Sequence, residues 1–272
     1  MDRPAFTDQM GREVHVPQHP ERIVSLVPSI TELLFSLGLG EKVMGVTRFC
    51  IYPKEAREQA ENIGGTKELH LARIADLKPD LIIGSKEENS PKDIKALSAN
   101  HDVWMSDVQT VSDGIEMIRH VGAICGVNEE ARKMAHRIEC GFTDLSGGKS
   151  MRRQRVAYLI WYDPIMVSGR RNFINSVIEK CGWKNVFEDF ETTGNRRYPK
   201  VTIDQLKEAQ PAVIFLSSEP YPFKEKHVET ISDAIPDCKV RLVDGDLFSW
   251  YGSRMLKMPA YLEELRREVE SQ

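Results

Sequence analysis

The sequence has no C-x-x-C pair and no even set of cysteines. Cys50, Cys125, Cys140, Cys181 and Cys238 stand far apart. This pattern excludes a disulfide framework and a zinc cluster, and leaves isolated structural thiols that fit a reducing compartment slightly better. No apolar run approaches the roughly 20 residues that span a bilayer. The opening residues, MDRPAFTDQMGREVHVP, lack the apolar core of about 7–15 residues that a secretory leader carries. The protein is therefore expected either to stay in the cytoplasm or to begin where a leader has been trimmed. An excess of positive charge is also missing. The formal net charge is -4, which argues against nucleic acid as a partner.

Catalytic motifs are scarce too. No G-x-G-x-x-G follows Val27, where a dinucleotide fold needs it, and there is no Walker lysine loop. The run SGGKS, Ser146 to Ser150, has the wrong spacing and reads as a linker. No G-x-S-x-G elbow occurs. None of the seven histidines sits in the loops that matter below, so no histidine-rich metal site is expected. Glu87, Glu88 and Glu219 are chemically able to move protons, but no nucleophile accompanies them, and they read as hydrogen-bond acceptors or surface contacts.

What the chain does have is a repeated phrase. LARIADLKPDLII, Leu71 to Ile83, and IDQLKEAQPAVIF, Ile203 to Phe215, share one grammar. Leu71 matches Ile203, Ile74 matches Leu206, Pro79 matches Pro211 and Leu81 matches Val213, each pair 132 residues apart. Each phrase reads as helix, proline and buried strand. Around them, short apolar strands (RIVSLV, KVMGV, DLIIG, DVWMS) alternate with helices, which predicts a parallel sheet covered on both faces. Ser29 with Glu32, and Thr202 with Gln205, are spaced as capping boxes, and His70 stands at the helix start equivalent to Thr202. Gly38, Gly126 and Gly182 stand where helices should stop. From Asn128 a helix of some 18 residues, about 27 Å long, carries the narrow apolar stripe Met134, Ile138, Phe142 and Leu145, after which RVAYLI, RNFINSVIEKCG and WKNVF restart the pattern. The expected fold is α/β. Two similar lobes, 1–126 and 151–272, each a mostly parallel sheet flanked by helices, are joined by one long rigid helix and linker at 127–150.

In open parallel sheets ligands bind beyond the carboxyl ends of the strands. The loops there hold Pro28, Ser29, Phe49, Tyr52, Lys86, Glu87 and Asn89 in the first half. In the second half they hold Trp161, Tyr162, Arg170, Arg196, Arg197, Tyr198, Glu219, Tyr221, Asp246, Trp250, Tyr251 and Arg254. With Phe223 and Phe248, they contain ten of the 21 aromatic residues. A single loop tyrosine often only packs, and loop arginines are often solvated. A whole set of loops in which aromatics interleave with arginine suits a large, flat or anionic ligand instead.

Taken together, these phrases resemble a known family, the helical-backbone substrate-binding proteins of ABC importers for vitamin B12, iron-siderophores and haem. The resemblance is carried by FTDQMGREVHVPQHPERIVSLVPSITELLFSLGLGEKVMGV, IGGTKELHLARIADLKPDLIIG, INSVIEKCGWKNVF, RRYPKVTIDQLKEAQPAVIFLSSEPYPF and DGDLFSWYGSRM, and is nearest the cobalamin-binding branch. It implies lobes that move little about a rigid helix, a shallow aromatic-walled cleft between them, and a pocket near Phe49, Tyr52, Lys67, Ser85, Lys86, Trp161, Tyr198, Asp246 and Trp250. In the cobalamin branch Lys67, Ser85 and Trp250 would be tryptophan, tryptophan and arginine. The family docks to its permease through one acidic residue per lobe at a helix start. Asp204 fills that place in lobe two, whereas lobe one has Ala72, with Glu68 one turn away. The position of Cys181 is disulfide-bonded in some relatives, without a partner near the C-terminus here.

The resemblance implies a non-enzymatic, monomeric binding protein for a metal-chelate ligand: a corrinoid, ferric siderophore or haem, not covalently held. It would be the receptor of an ABC permease dimer, periplasmic or anchored outside the cytoplasm. A second reading stays open: a cytoplasmic enzyme or chaperone for a metal-bearing cofactor on the same scaffold.

Overall fold

The computed structural model describes residues 3–147, 153–190 and 194–270. Residues 148–150 of SGGKS, and 192 and 193 at the start of TTGNRRYP, the loop that carries Arg196, Arg197 and Tyr198, lie outside that range. The chain forms two compact units. The first is Met1–Val108, Ser112–Ile138 and Tyr251–Arg254. The second is Gln109–Val111, Glu139–Trp250 and Met255–Gln272.

The strands are β1 (Ala5–Thr7), β2 (Glu13–His15), β3 (Ile23–Ser25), β4 (Val43–Val46), β5 (Glu61–Asn62), β6 (Gly64–Gly65), β7 (Glu68–Leu69), β8 (Leu81–Ser85), β9 (Val103–Ser106), β10 (Arg155–Trp161), β11 (Met166–Val167), β12 (Lys184–Asn185), β13 (Val213–Ser217) and β14 (Lys239–Val243). The α-helices are α1 (Pro28–Ser36), α2 (Glu55–Gln59), α3 (Leu71–Asp76), α4 (Pro91–Leu97), α5 (Val111–Ile124), α6 (Asn128–Gly147), α7 (Phe173–Lys180), α8 (Ile203–Glu208), α9 (Glu225–Ala234), α10 (Asp246–Ser249) and α11 (Met258–Glu270).

The first unit is built on a parallel sheet in the order β5-β4-β3-β8-β9. In the second, β10, β13 and β14 run parallel, β12 pairs parallel with β10, and β11 folds back antiparallel on it. Both faces of these strands are covered, as their unbroken apolar runs require. Ala157, Leu159, Ile214 and Leu216 face one core with Phe187, Leu206 and Ile231. The residues between them, Tyr158 and Phe215, pack on Phe248 at ring distances of 4.9 and 6.0 Å.

The repeated phrase is the same structure twice. The bounds of α3 and α8, and of β8 and β13, differ by 132 throughout. Ile74 and Leu206 are both completely buried. Lys78 and Gln210, each just before the proline, are left-handed at φ 48 and 44. The chain cannot continue the helix into a proline, so it turns there. In each unit the arginine at the edge of the first core strand satisfies the carbonyls this leaves bare. Arg22 Nη2 donates to Leu77 O at 2.6 Å, and Arg155 Nη2 to Ala209 O at 2.5 Å.

Gly38, Gly126 and Gly182 all adopt positive φ, 78, 74 and 76. The Thr202–Gln205 capping box forms in both directions. Ser29 and Glu32 form none: α1 opens on Pro28, which has no N–H to satisfy, and Glu32 is drawn to Arg254 instead. His70 occupies the N-cap of α3 without a side-chain bond. The α6 stripe is buried at Met134, Ile138, Phe142 and Leu145. This helix belongs to the first unit up to Ile138 and to the second from Glu139. All five cysteines are free thiols, and only Cys140 is exposed.

Candidate functional site

In the first unit the strand ends are set by buried polar bonds. Asn89 Oδ1 accepts from Ser85 N at 2.8 Å, and its Nδ2 donates to Leu26 O and Thr66 O, both at 3.1 Å. This one side chain ties the ends of β3 and β8 to the loop after β6. Tyr251 donates to Ser85 Oγ at 2.7 Å, and burial pushes its phenol well above the ordinary value. Arg254 forms a two-pronged ion pair with Glu32 at 2.9 and 3.0 Å, both side chains being largely buried. Its guanidinium lies 4.4 Å from the centre of the Tyr52 ring. Asn89, Tyr251 and Arg254 thus have their polar atoms committed inside the unit and hold the loops in place. Ser29 is likewise buried at the start of α1, beside a half-buried Pro28.

What this unit leaves open is a small group of side chains. Phe49 and Tyr52 are 50 % and 41 % exposed, with Arg48 above the Phe49 ring at 5.0 Å. The exposed Lys67 bonds the Glu87 carbonyl, joining the β6–β7 turn to the loop after β8, and Lys86 pairs with Asp107. Burial and the neighbouring Glu87 push the Glu88 carboxyl above its ordinary value, against the pull of Lys67.

The second unit gathers its aromatics more tightly. Trp161, at the end of β10, is 39 % exposed and packs edge-on against Tyr221 at 5.4 Å. Tyr162 stacks on Tyr221 at 6.1 Å, and Phe223 meets Tyr221 at 4.8 Å. Beneath them lies His227, buried in α9, with its ring 4.8 Å from that of Tyr162. It is a residue of this corner that the sequence does not predict. Its helix hides it from loop-based reasoning, and the usable signal is its place three residues after Lys224, where a capping side chain reaches back.

The arginine loop is anchored through its backbone. Asn172 Nδ2 donates to Arg197 O at 2.7 Å, and Gly169 N donates to the same carbonyl at 2.8 Å. A β-carbon on Gly169 would lie 2.4 Å from Arg196 O, so glycine is required for this approach. The side chain of Arg196 is exposed, and those of Arg170, Arg197 and Tyr198 are half-buried. The Glu219 carboxylate accepts from Ser249, which brings the loop after β13 against α10. Asp246 and Trp250, also half-buried, bracket that helix. Three X-Pro bonds are cis, all in these strand-end loops: Tyr52-Pro53, Asp163-Pro164 and Glu219-Pro220.

Of the two acidic residues expected at the helix starts, Asp204 is strongly exposed in the first turn of α8, 3.9 Å from Lys207. Glu68 is exposed in β7, just ahead of α3. Among the described residues no group of three histidine, cysteine or acidic side chains could hold a metal ion, and no helix is long and apolar enough to cross a membrane.

A parallel sheet in each unit, with aromatic and basic loops at its strand ends, is the build of a solute-binding protein. Residues 23–237 match the periplasmic binding protein family, and the chain belongs to it. It is 32% identical over 206 residues to a vitamin B12-binding protein of Vibrio cholerae serotype O1, covering 74% of this chain and 72% of that one. It is 28% identical over 242 residues to a vitamin B12-binding protein of Pectobacterium carotovorum, covering 87% and 85%. The crystal structure of the periplasmic vitamin B12 binding protein BtuF of Vibrio cholerae superposes with a TM-score of 0.78 at 26% identity, over 94% of this chain and 100% of that one. A periplasmic haem-binding protein from Roseiflexus, with a TM-score of 0.75 at 23% identity over 92% and 98%, shares the fold. The protein is a non-enzymatic substrate-binding protein of the helical-backbone type. These relatives do not favour a cytoplasmic enzyme or chaperone on the same scaffold.

Proposed function

We propose that the chain is the extracytoplasmic receptor of an ABC importer and binds a metal chelate of the corrinoid class. The observation that carries this reading is the 32% identity with a vitamin B12-binding protein over 74% of the chain. The strand-end loops of each unit supply the contacts. Phe49, Tyr52, Trp161, Tyr198, Tyr221 and Trp250 offer ring faces and edges to the macrocycle. Lys86, Arg170, Arg196 and Arg197 offer charge to carboxylate, amide or phosphate groups. Ser85 stands where the resemblance expects an indole, and its hydroxyl accepts from the buried Tyr251, so Tyr251 supplies the aromatic bulk at that strand end. Haem and ferric siderophores, which present similar flat or anionic surfaces, are the competing ligands within this class. Asp204 and Glu68 are the proposed contacts to the permease, α6 is the proposed rigid link between two lobes, and the receptor acts as a monomer.

Titration of tryptophan fluorescence with cyanocobalamin, haemin and several ferric siderophores tests this. Quenching by cyanocobalamin at micromolar concentration is expected, because Trp161 is exposed at a strand end. No quenching by any of the three would end the metal-chelate reading.

A further inference from the structure

His227 has a more specific role than filling space under the aromatic rings. It is 4 % exposed and is the third residue of α9. Its Nδ1 accepts the Lys224 N–H at 2.9 Å, and its Nε2 lies 3.1 Å from the Tyr221 hydroxyl. A ring nitrogen that accepts a backbone N–H carries no proton of its own, so the imidazole proton is on Nε2. Nε2 therefore donates and the Tyr221 oxygen accepts. A phenol has a single proton to give, and this arrangement turns it away from the imidazole. Among the described residues the Tyr221 hydroxyl has no other hydrogen-bond partner. The rings of Trp161, Tyr162 and Phe223, at 5.4, 6.1 and 4.8 Å, keep the phenol from swinging.

We infer that His227 is a positioning residue: it fixes the Tyr221 hydroxyl as a hydrogen-bond donor to an acceptor oxygen of the bound molecule, an amide or carboxylate of the kind that rims a metal chelate. The inference rests on the binding role proposed above and extends it to the ligand's chemistry. A donor held in an apolar corner favours a carbonyl or carboxylate oxygen and disfavours an ammonium or a bare alkyl group.

Two substitutions separate positioning from helix capping. His227→Asn keeps an acceptor at the Nδ1 position for Lys224 N–H and ends short of Tyr221. His227→Gln places an amide N–H at the Nε2 position and restores the donor. With cyanocobalamin as probe, His227→Asn and Tyr221→Phe are each expected to weaken binding about three- to ten-fold. The double variant is expected to bind no more weakly than Tyr221→Phe alone, and His227→Gln to recover most of the affinity. Circular dichroism should show all four variants folded. Unchanged affinity in His227→Asn, or losses that add in the double variant, would overturn the inference. So would a proton on Nδ1 in the proton-coupled nitrogen spectrum of the full chain, which needs no ligand. Failure of the unaltered chain to bind cyanocobalamin counts against the corrinoid reading alone. The same variants are then titrated with haemin, whose carboxylates present the same acceptor.

Discussion

Arg254 looks from the sequence like a ligand contact at the end of an aromatic loop, yet its guanidinium is spent on Glu32 and the Tyr52 ring. Removing one member of a buried pair strands the other's charge. Arg254→Met should therefore cost about 3–5 kcal/mol of stability, read by urea denaturation, and adding Glu32→Met should return much of that loss. Gly245 is a second such residue. A β-carbon there would meet Ser217 Oγ at 2.4 Å and Glu219 Cγ at 2.7 Å. Gly245→Ala is expected to cost about 1–3 kcal/mol and to weaken ligand binding in a fluorescence titration, because it pushes the Glu219 loop outward. Neither residue's constraint can be read from local pattern. Both depend on partners far away in the chain, whereas the Thr202–Gln205 box, closed between residues three apart, is legible at once.

At the scale of elements, the 132-residue repeat was the most readable feature, because helix, proline and strand are all local signals. Less legible was the turn itself. Lys78 and Gln210 sit in the left-handed region that glycine normally occupies, and their side chains give no warning of it. Lys78→Gly and Gln210→Gly should each leave the protein equally stable or about 0.5–1 kcal/mol more stable, because relief of the backbone strain exceeds the entropic cost of glycine. Equal effects in denaturant melts would show that the two units use the turn alike. The short β6–β7 hairpin and the β11 fold-back went unread. Two-residue strands carry no period, and their pairing is set by tertiary contact. The aromatic corner was half legible: its loop members stand out by composition, but His227 is recruited from a helix.

For the whole molecule, the buried thiols give a pH signature. Burial raises Cys125 from 9.0 to about 12 and Cys238 from 9.0 to about 11. A group whose folded value is raised contributes its full stability below the ordinary value and loses it as pH climbs toward the folded value. Stability should hold up to about pH 9 and then fall through pH 11–12, followed by thermal melts across that range. Replacing both thiols with alanine should make the fall shallower without abolishing it, because burial also raises Cys50, Tyr158 and Tyr251.

The four residues Tyr251–Arg254 cluster with the first unit although nearly the whole second unit precedes them in the chain. During synthesis the N-terminal half therefore leaves the ribosome with Glu32 and Ser85 already placed and their partners still unmade. Its final locking waits for a segment that lies 222 residues after Glu32 and 166 after Ser85. A nascent chain halted at residue 250 would hold the Glu32 carboxylate without its counter-charge, a species suited to capture by chaperones and open to proteolysis.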